Sequence, residues 1–137
     1  MTARKQPRWL TRALVQAIHT DQIRQHGGSY GLRDEGALES ALARPQNRWH
    51  YEDEVALSDL AASYAFGLAR NHPFIDGNKR TAFQTMYVFL GLNGWRIRAE
   101  EDNAAEVMEN VASGEIDEAK LADSLEDHLV RRRRGRT

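Results

Sequence analysis

Within nine residues, His72-Pro73-Phe74-Ile75-Asp76-Gly77-Asn78-Lys79-Arg80, the chain gathers an imidazole, a carboxylate, a glycine, an asparagine and two adjacent cations. An imidazole, whose unperturbed pKa lies near neutrality, can take a proton from a hydroxyl as that oxygen attacks phosphorus. One carboxylate, here Asp76, completed by phosphate oxygens and waters is a typical Mg²⁺ environment. Gly77 can take backbone angles that a Cβ forbids, and Asn78 is expected to cap the helix that follows, turning its first amides outward as anion donors. Lys79 and Arg80 then add charge where the helix dipole is already positive, an arrangement that is unfavourable unless an anion such as phosphate sits there. Singly, a loop histidine or an Asp-Gly-Asn turn is ordinary structural chemistry. Together they point to phosphoryl transfer, which depends mainly on positioning and neutralised charge. His19, His26, His50 and His128 lack metal-ligand spacing and read as ordinary surface or core histidines.

Two apolar helices must hold this loop. The first runs from Ser58 or Asp59 as cap through Leu60, Ala61, Tyr64, Ala65 and Leu68 to Arg70, and the second from Lys79 through Ala82, Phe83, Met86, Phe89 and Leu90 to Asn93-Gly94. Small residues in one and large residues in the other predict a closely packed central pair. Upstream, Leu10, Leu14, Val15, Ile18 and Ile23 mark an amphipathic helix over 9–25, ended by Gly27-Gly28. A short helix over 37–42 is expected to stop at Pro45, with 46–54 a loop that packs down Trp49 or Tyr51. Downstream, Trp95-Arg96-Ile97 is an extended piece too short to imply a sheet. Asp102 or Asn103 caps a helix through Val107, Met108 and Val111, Gly114 interrupts it, and Asp117 starts a last helix through Leu121, Leu125 and Leu129. The expectation is an all-α bundle of about six helices, with one domain over 1–130 and a basic, disordered tail over 131–137.

Bulk properties exclude several function classes. The absence of cysteine removes disulfides, thiolate nucleophiles and Cys-ligated zinc. No apolar run reaches the length of a membrane span, and the first residues lack the apolar core of a signal peptide, which argues for the cytoplasm. Five arginines after residue 130 carry +5 of a net −1, leaving −6 on residues 1–130. So acidic a body is a poor generic nucleic-acid binder, and direct nucleic-acid binding is not expected.

The nine-residue loop resembles the signature of the Fic/Doc superfamily, His-x-Phe-x-Asp/Glu-Gly/Ala-Asn-Gly/Lys-Arg. Gly27-Gly28, the stretch from Gly31 to Ala41, Pro45-Gln46, Phe89-Leu90 with Asn93-Gly94, and Ser113 to Ile116 are similar to further recurring features of that family. The resemblance implies ATP as substrate, His72 as base, Asp76 as Mg²⁺ ligand, and Gly77, Asn78, Lys79 and Arg80 as contacts to the nucleotide phosphates. Gln84, one helical turn beyond Arg80, is implied as a further contact, and Arg33 is implied to lie in a segment over the site that helps hold the substrate protein.

Two departures separate this chain from the family members that transfer AMP: Lys79 replaces their second glycine and Phe83 their second arginine. Both are shared with the Doc (death on curing) toxins, and that likeness implies transfer of the γ-phosphate of ATP to a Ser/Thr hydroxyl on elongation factor Tu, which stops translation. AMP transfer and a catalytically inactive interaction module are the alternatives. The autoinhibited relatives carry Ser/Thr-x-x-x-Glu-Gly/Asn. Glu35-Gly36 and Glu109-Asn110 are preceded at the first position by Gly31 and Ala105, so neither fits. The resemblance instead implies a separate antitoxin whose C-terminal tail folds as a helix into a groove on the toxin.

Overall fold

The computed structural model describes residues 4–98 and 101–131, without the side chains of 101–106. Six helices and a small sheet appear among them: α1 (Arg12–His26), α2 (Glu35–Tyr51), α3 (Leu57–Asn71), α4 (Asn78–Leu92), β1 (Trp95–Ile97), α5 (Glu101–Ser113), α6 (Glu118–His128) and β2 (Leu129–Arg131). The all-α expectation holds. α3 is the axis of the bundle and touches α2, α4, α5 and α6. Its sequence accounts for that place, because Leu60, Ala61, Ala62, Tyr64, Ala65, Leu68 and Ala69 leave no polar face and all are buried. At Gly67 a Cβ would stand 3.2 Å from the Ala41 Cα, so the glycine sets the close approach of α3 to α2.

α1 begins three residues later than expected, with the Thr11 side chain capping the Leu14 amide at 3.1 Å. Trp9 lies outside the helix and stacks on Phe89 at 6.1 Å. Tyr64 packs tilted against Phe89 at 5.0 Å, and its hydroxyl accepts from the Leu10 amide at 3.1 Å. Burial pushes the Tyr64 phenol up to about 12. At the start of α3 the N-cap is Ala56 rather than Ser58 or Asp59. Asp59 serves from inside the first turn, accepting the Ala56 amide at 2.9 Å.

The short second helix and the following loop are corrected by the structure: α2 runs through Pro45 to Tyr51. An interior proline removes one backbone hydrogen bond and costs about 3 kcal/mol. Here it falls on the buried stripe of Leu38, Ala41, Leu42 and Pro45, which continues to Trp49, edge-on to Trp9 at 6.5 Å. The far half of the helix is fixed by Arg48, whose guanidinium donates to Glu52 at 2.7 and 3.0 Å and to Glu118 at 2.9 Å. Apolar burial and this ion-pair network together offset the proline.

Trp95–Ile97 also differs from expectation, because it pairs antiparallel with Leu129–Arg131 in the register Trp95↔Arg131, Arg96↔Val130 and Ile97↔Leu129. Leu129 therefore leaves the last helix for a strand, and Arg131, the first residue of the expected tail, sits over the Trp95 ring at 5.1 Å. Residues 132–137 lie outside the described residues, as do the side chains of Asp102 and Asn103. On the backbone, α5 already begins at Glu101, ahead of either cap. No helix among the described residues is long and apolar enough to cross a membrane.

Candidate active site

The loop between α3 and α4 opens on a strained residue. His72 closes α3 in the left-handed conformation (φ 49°, ψ 57°), and it is the only described non-glycine with positive φ. That conformation costs an L-residue about 1–2 kcal/mol. Arg33 holds it there, donating from Nε to the His72 carbonyl at 2.6 Å and from Nη2 to the Asn71 carbonyl at 2.9 Å. A guanidinium on the last carbonyls of α3 also answers the negative end of the helix dipole. The Arg33 and Asp34 amides donate to the Pro73 carbonyl at 2.8 and 3.0 Å, the Ile75 amide donates to Gly31 at 3.1 Å, and Leu32 bridges Phe74. The segment from Gly31 to Asp34 is thus laid along the loop, with the Arg33 guanidinium turned onto the end of α3.

Phe74 is buried and anchors the loop in the core. Asn78 does not cap α4. Its Oδ1 accepts from the Phe74 amide and its Nδ2 donates to the Phe74 carbonyl, both at 2.9 Å, so the side chain reaches back and ties the loop closed. The N-cap is Gly77 (φ 73°), where a Cβ would meet Ile23 at 2.9 Å. With no capping side chain, and with the first turn's hydrogen bonds beginning at Thr81, the Asn78, Lys79 and Arg80 amides have no acceptor among the described residues. Such amides are a ready anion site.

Asp76 is held on three sides. Its Oδ1 accepts from the Gly77 amide at 2.8 Å, its Oδ2 from the Ser29 amide at 3.2 Å, and its main-chain carbonyl faces His19 Nε2 at 2.8 Å. Gly28 (φ 119°) is the necessary neighbour, since a Cβ there would lie 2.6 Å from Asp76 Oδ2. Each carboxylate oxygen accepts one bond and keeps a second lone pair. Among the described residues no three His, Cys, Asp or Glu side chains cluster as metal ligands, so a cation at Asp76 would take most of its shell from phosphate and water, as Mg²⁺ does.

All the residues proposed from the sequence, His72, Asp76, Gly77, Asn78, Lys79, Arg80 and Gln84, line one cleft of about 700 Å³, with Phe83 beside them. That volume is suited to a nucleotide-sized ligand. Gln22 and His26 of α1 and Met108 and Glu109 of α5 complete the walls. Arg80 Nη2 donates to the Gly27 carbonyl at 3.1 Å, and Lys79 Nζ is paired with Glu109 at 2.5 Å. Sequence reasoning missed two of these partners. Glu109 sits in a pattern that fails the autoinhibitory form, yet its carboxylate meets a cation of the loop. His19 is the core histidine the sequence allows, on the buried face of α1 with Val15, Ile18 and Ile23, where a polar residue requires a partner; what the sequence does not indicate is that the partner is the Asp76 carbonyl.

The family model described as the Fic/DOC family matches residues 9–90. Protein kinase doc of Escherichia phage P1 is 36% identical over 109 residues, covering 80% of this chain and 86% of that protein. Toxin Doc of Mycolicibacterium smegmatis is 40% identical over 102 residues, covering 72% of this chain and 78% of that protein. Loop, bundle and relatives agree, and the chain belongs to the Fic/Doc family.

Proposed function

We propose that this chain is a toxin of the Doc type, a protein kinase that moves the γ-phosphate of Mg²⁺-ATP to a Ser/Thr hydroxyl of another protein, with elongation factor Tu as its target. The observation that carries this reading is the convergence, in one cleft, of a loop imidazole, a fixed carboxylate, three amides without acceptors among the described residues and two cations. The names of the two relatives, one a kinase and one a toxin, support the same reading.

In this mechanism His72 removes the hydroxyl proton while that oxygen bonds to the γ-phosphorus. The bond from phosphorus to the bridging oxygen breaks, and ADP leaves. Lys79, Arg80 and the amides of Asn78, Lys79 and Arg80 hold the phosphates, and Gln84 adds a polar contact one turn further along α4. When bound at Asp76, Mg²⁺ would neutralise and orient phosphate oxygens. Lys79 and Phe83 both line the cleft, and a lysine and a phenyl ring there favour γ-transfer over AMP transfer, because the second guanidinium clamp is missing. The partner that silences the toxin is an antitoxin with a C-terminal helix.

The test is incubation with γ-labelled and α-labelled ATP and a cell extract, followed by mass spectrometry of the labelled protein. Label from the γ-position alone, lost in His72→Ala and reduced in its Mg²⁺ response in Asp76→Asn, is the expected result. Transfer of α-label would replace kinase by AMP transferase. No transfer at all, with growth inhibition by a folded His72→Ala protein, would make the chain an interaction module.

A further inference from the structure

We propose that His19 is a positioning residue for Asp76, locking the peptide between Asp76 and Gly77 against rotation. This rests on the reading of Asp76 as the carboxylate that faces the metal. The Asp76 carbonyl and the Gly77 amide belong to one peptide plane and point in opposite directions. The carbonyl faces His19 Nε2 at 2.8 Å and the amide donates to Asp76 Oδ1 at 2.8 Å. A carbonyl oxygen only accepts, so Nε2 carries the proton.

Rotation of this peptide is the soft motion of the loop. Gly77 stands at φ 73°, and glycine moves between positive and negative φ with little steric penalty. A flip would break the His19 bond and the bond to Oδ1 together, and would turn a carbonyl where the amide now orients the carboxylate. His19 is itself fixed. It is 3% exposed, and its ring stacks on Phe74 at 3.9 Å with 5° between planes. The Phe74 peptide is tied on both sides by Asn78. The position of the carboxylate is therefore referred through a rigid ring to α1 and to the core, and the Ser29 amide, in the turn after α1, supports the second oxygen at 3.2 Å.

A structural role alone, that of a core histidine satisfied by a convenient carbonyl, makes a different forecast, so the variants separate the two. His19→Phe keeps an aromatic ring on Phe74 and loses the donor, whereas His19→Gln keeps a donor and loses the ring. Two measurements are made on the full chain: hydrogen exchange of the Gly77 amide without metal, and half-saturation by Mg²⁺ at fixed ATP. In His19→Phe the exchange should accelerate about tenfold and the Mg²⁺ half-saturation rise about tenfold. His19→Gln should restore both to within about threefold of the parent. In an Asp76→Asn background, His19→Phe should no longer move the Mg²⁺ response, because the residue acts through that carboxylate.

Asp76→Asn with an unchanged Mg²⁺ requirement would overturn the reading of the site itself. Asp76→Asn with a shifted requirement, beside a folded His19→Phe with parent-like exchange and Mg²⁺ response, would overturn the role of His19 alone. Should His19→Phe not fold, His19→Leu, which also lacks the donor, takes its place: accelerated exchange with a raised Mg²⁺ half-saturation upholds the lock, and parent-like values refute it.

Discussion

Replacing Arg33 by Ala tests whether the strained histidine is held in place by its neighbour. The left-handed conformation of His72 costs about 1–2 kcal/mol, and the two guanidinium bonds to the Asn71 and His72 carbonyls oppose it. A hydrogen bond to a charged group contributes about 1.5–3 kcal/mol. Arg33 is solvent-exposed, so the pair together is set at only about 2 kcal/mol. Removing it leaves the 1–2 kcal/mol bias uncompensated, which disfavours the observed geometry by roughly 5–30-fold. We therefore expect kcat for γ-phosphate transfer to fall about tenfold, with KM for ATP nearly unchanged because Asn78, and not Arg33, ties the start of α4 to the loop. The Arg33 amide still binds Pro73, so the loss is confined to the guanidinium bonds, and about 2 kcal/mol over 137 residues should lower the melting temperature by about 7 °C. Single-turnover transfer beside a circular-dichroism melt reads both numbers, and Arg33→Lys, with one ammonium for two carbonyls, should lie between. A folded Arg33→Ala with unchanged kcat would refute the clamp. A raised KM for the protein substrate at unchanged kcat would return Arg33 to the substrate-holding role expected from the sequence.

Glu109→Gln should tighten ATP binding several-fold in calorimetry at about 50 mM salt, with the gain fading at about 500 mM, because it removes the carboxylate that competes with phosphate for Lys79; equal affinity at low salt would show that the pair does not restrain binding. Gly28→Ala should lower stability by about 1–3 kcal/mol in denaturant titrations and abolish most Mg²⁺-dependent transfer, since its Cβ meets Asp76 Oδ2 and φ is 119°; a parent-like protein would show that Asp76 is not so confined. Tyr64 is raised to about 12 when folded, so it contributes stability that is fully present below the unfolded value near 10 and lost as pH climbs toward 12, about 3 kcal/mol in all. Tyr64→Phe should flatten that alkaline limb in urea midpoints measured between pH 9 and 12, and an unchanged slope would assign it to other groups.

The loop was legible because its parts are contiguous: an imidazole, a carboxylate and two cations within nine residues declare themselves without any tertiary information. The central helices were legible for the same reason, each carrying its pattern within itself. What is not legible depends on contacts distant along the chain. Nothing near Trp95–Ile97 indicates a partner at Leu129–Arg131, and nothing near Lys79 indicates Glu109. At Pro45 the local helix-breaking tendency ends the helix too early, because the stripe of 38, 41, 42, 45 and 49 continues across the proline and packing outweighs propensity. Asn78 had two uses for one side chain, capping the helix or closing the loop, and only the fold chooses between them.

The strand pairing also carries a meaning in time. A chain is made from its N-terminus, so β1 emerges directly after α4, but its partner β2 must wait until α5 and α6 have followed. Until residues 128–131 arrive, the end of α6 lacks both its ladder to β1 and the 2.6 Å bond from the Arg98 amide to the His128 carbonyl, so the clasp that closes this end of the bundle is missing. At translation speeds of about 5–20 residues per second, the interval between Arg80 and that clasp lasts roughly 3–10 s. The order of synthesis thus sets a short window in which the loop already exists and the finished bundle does not.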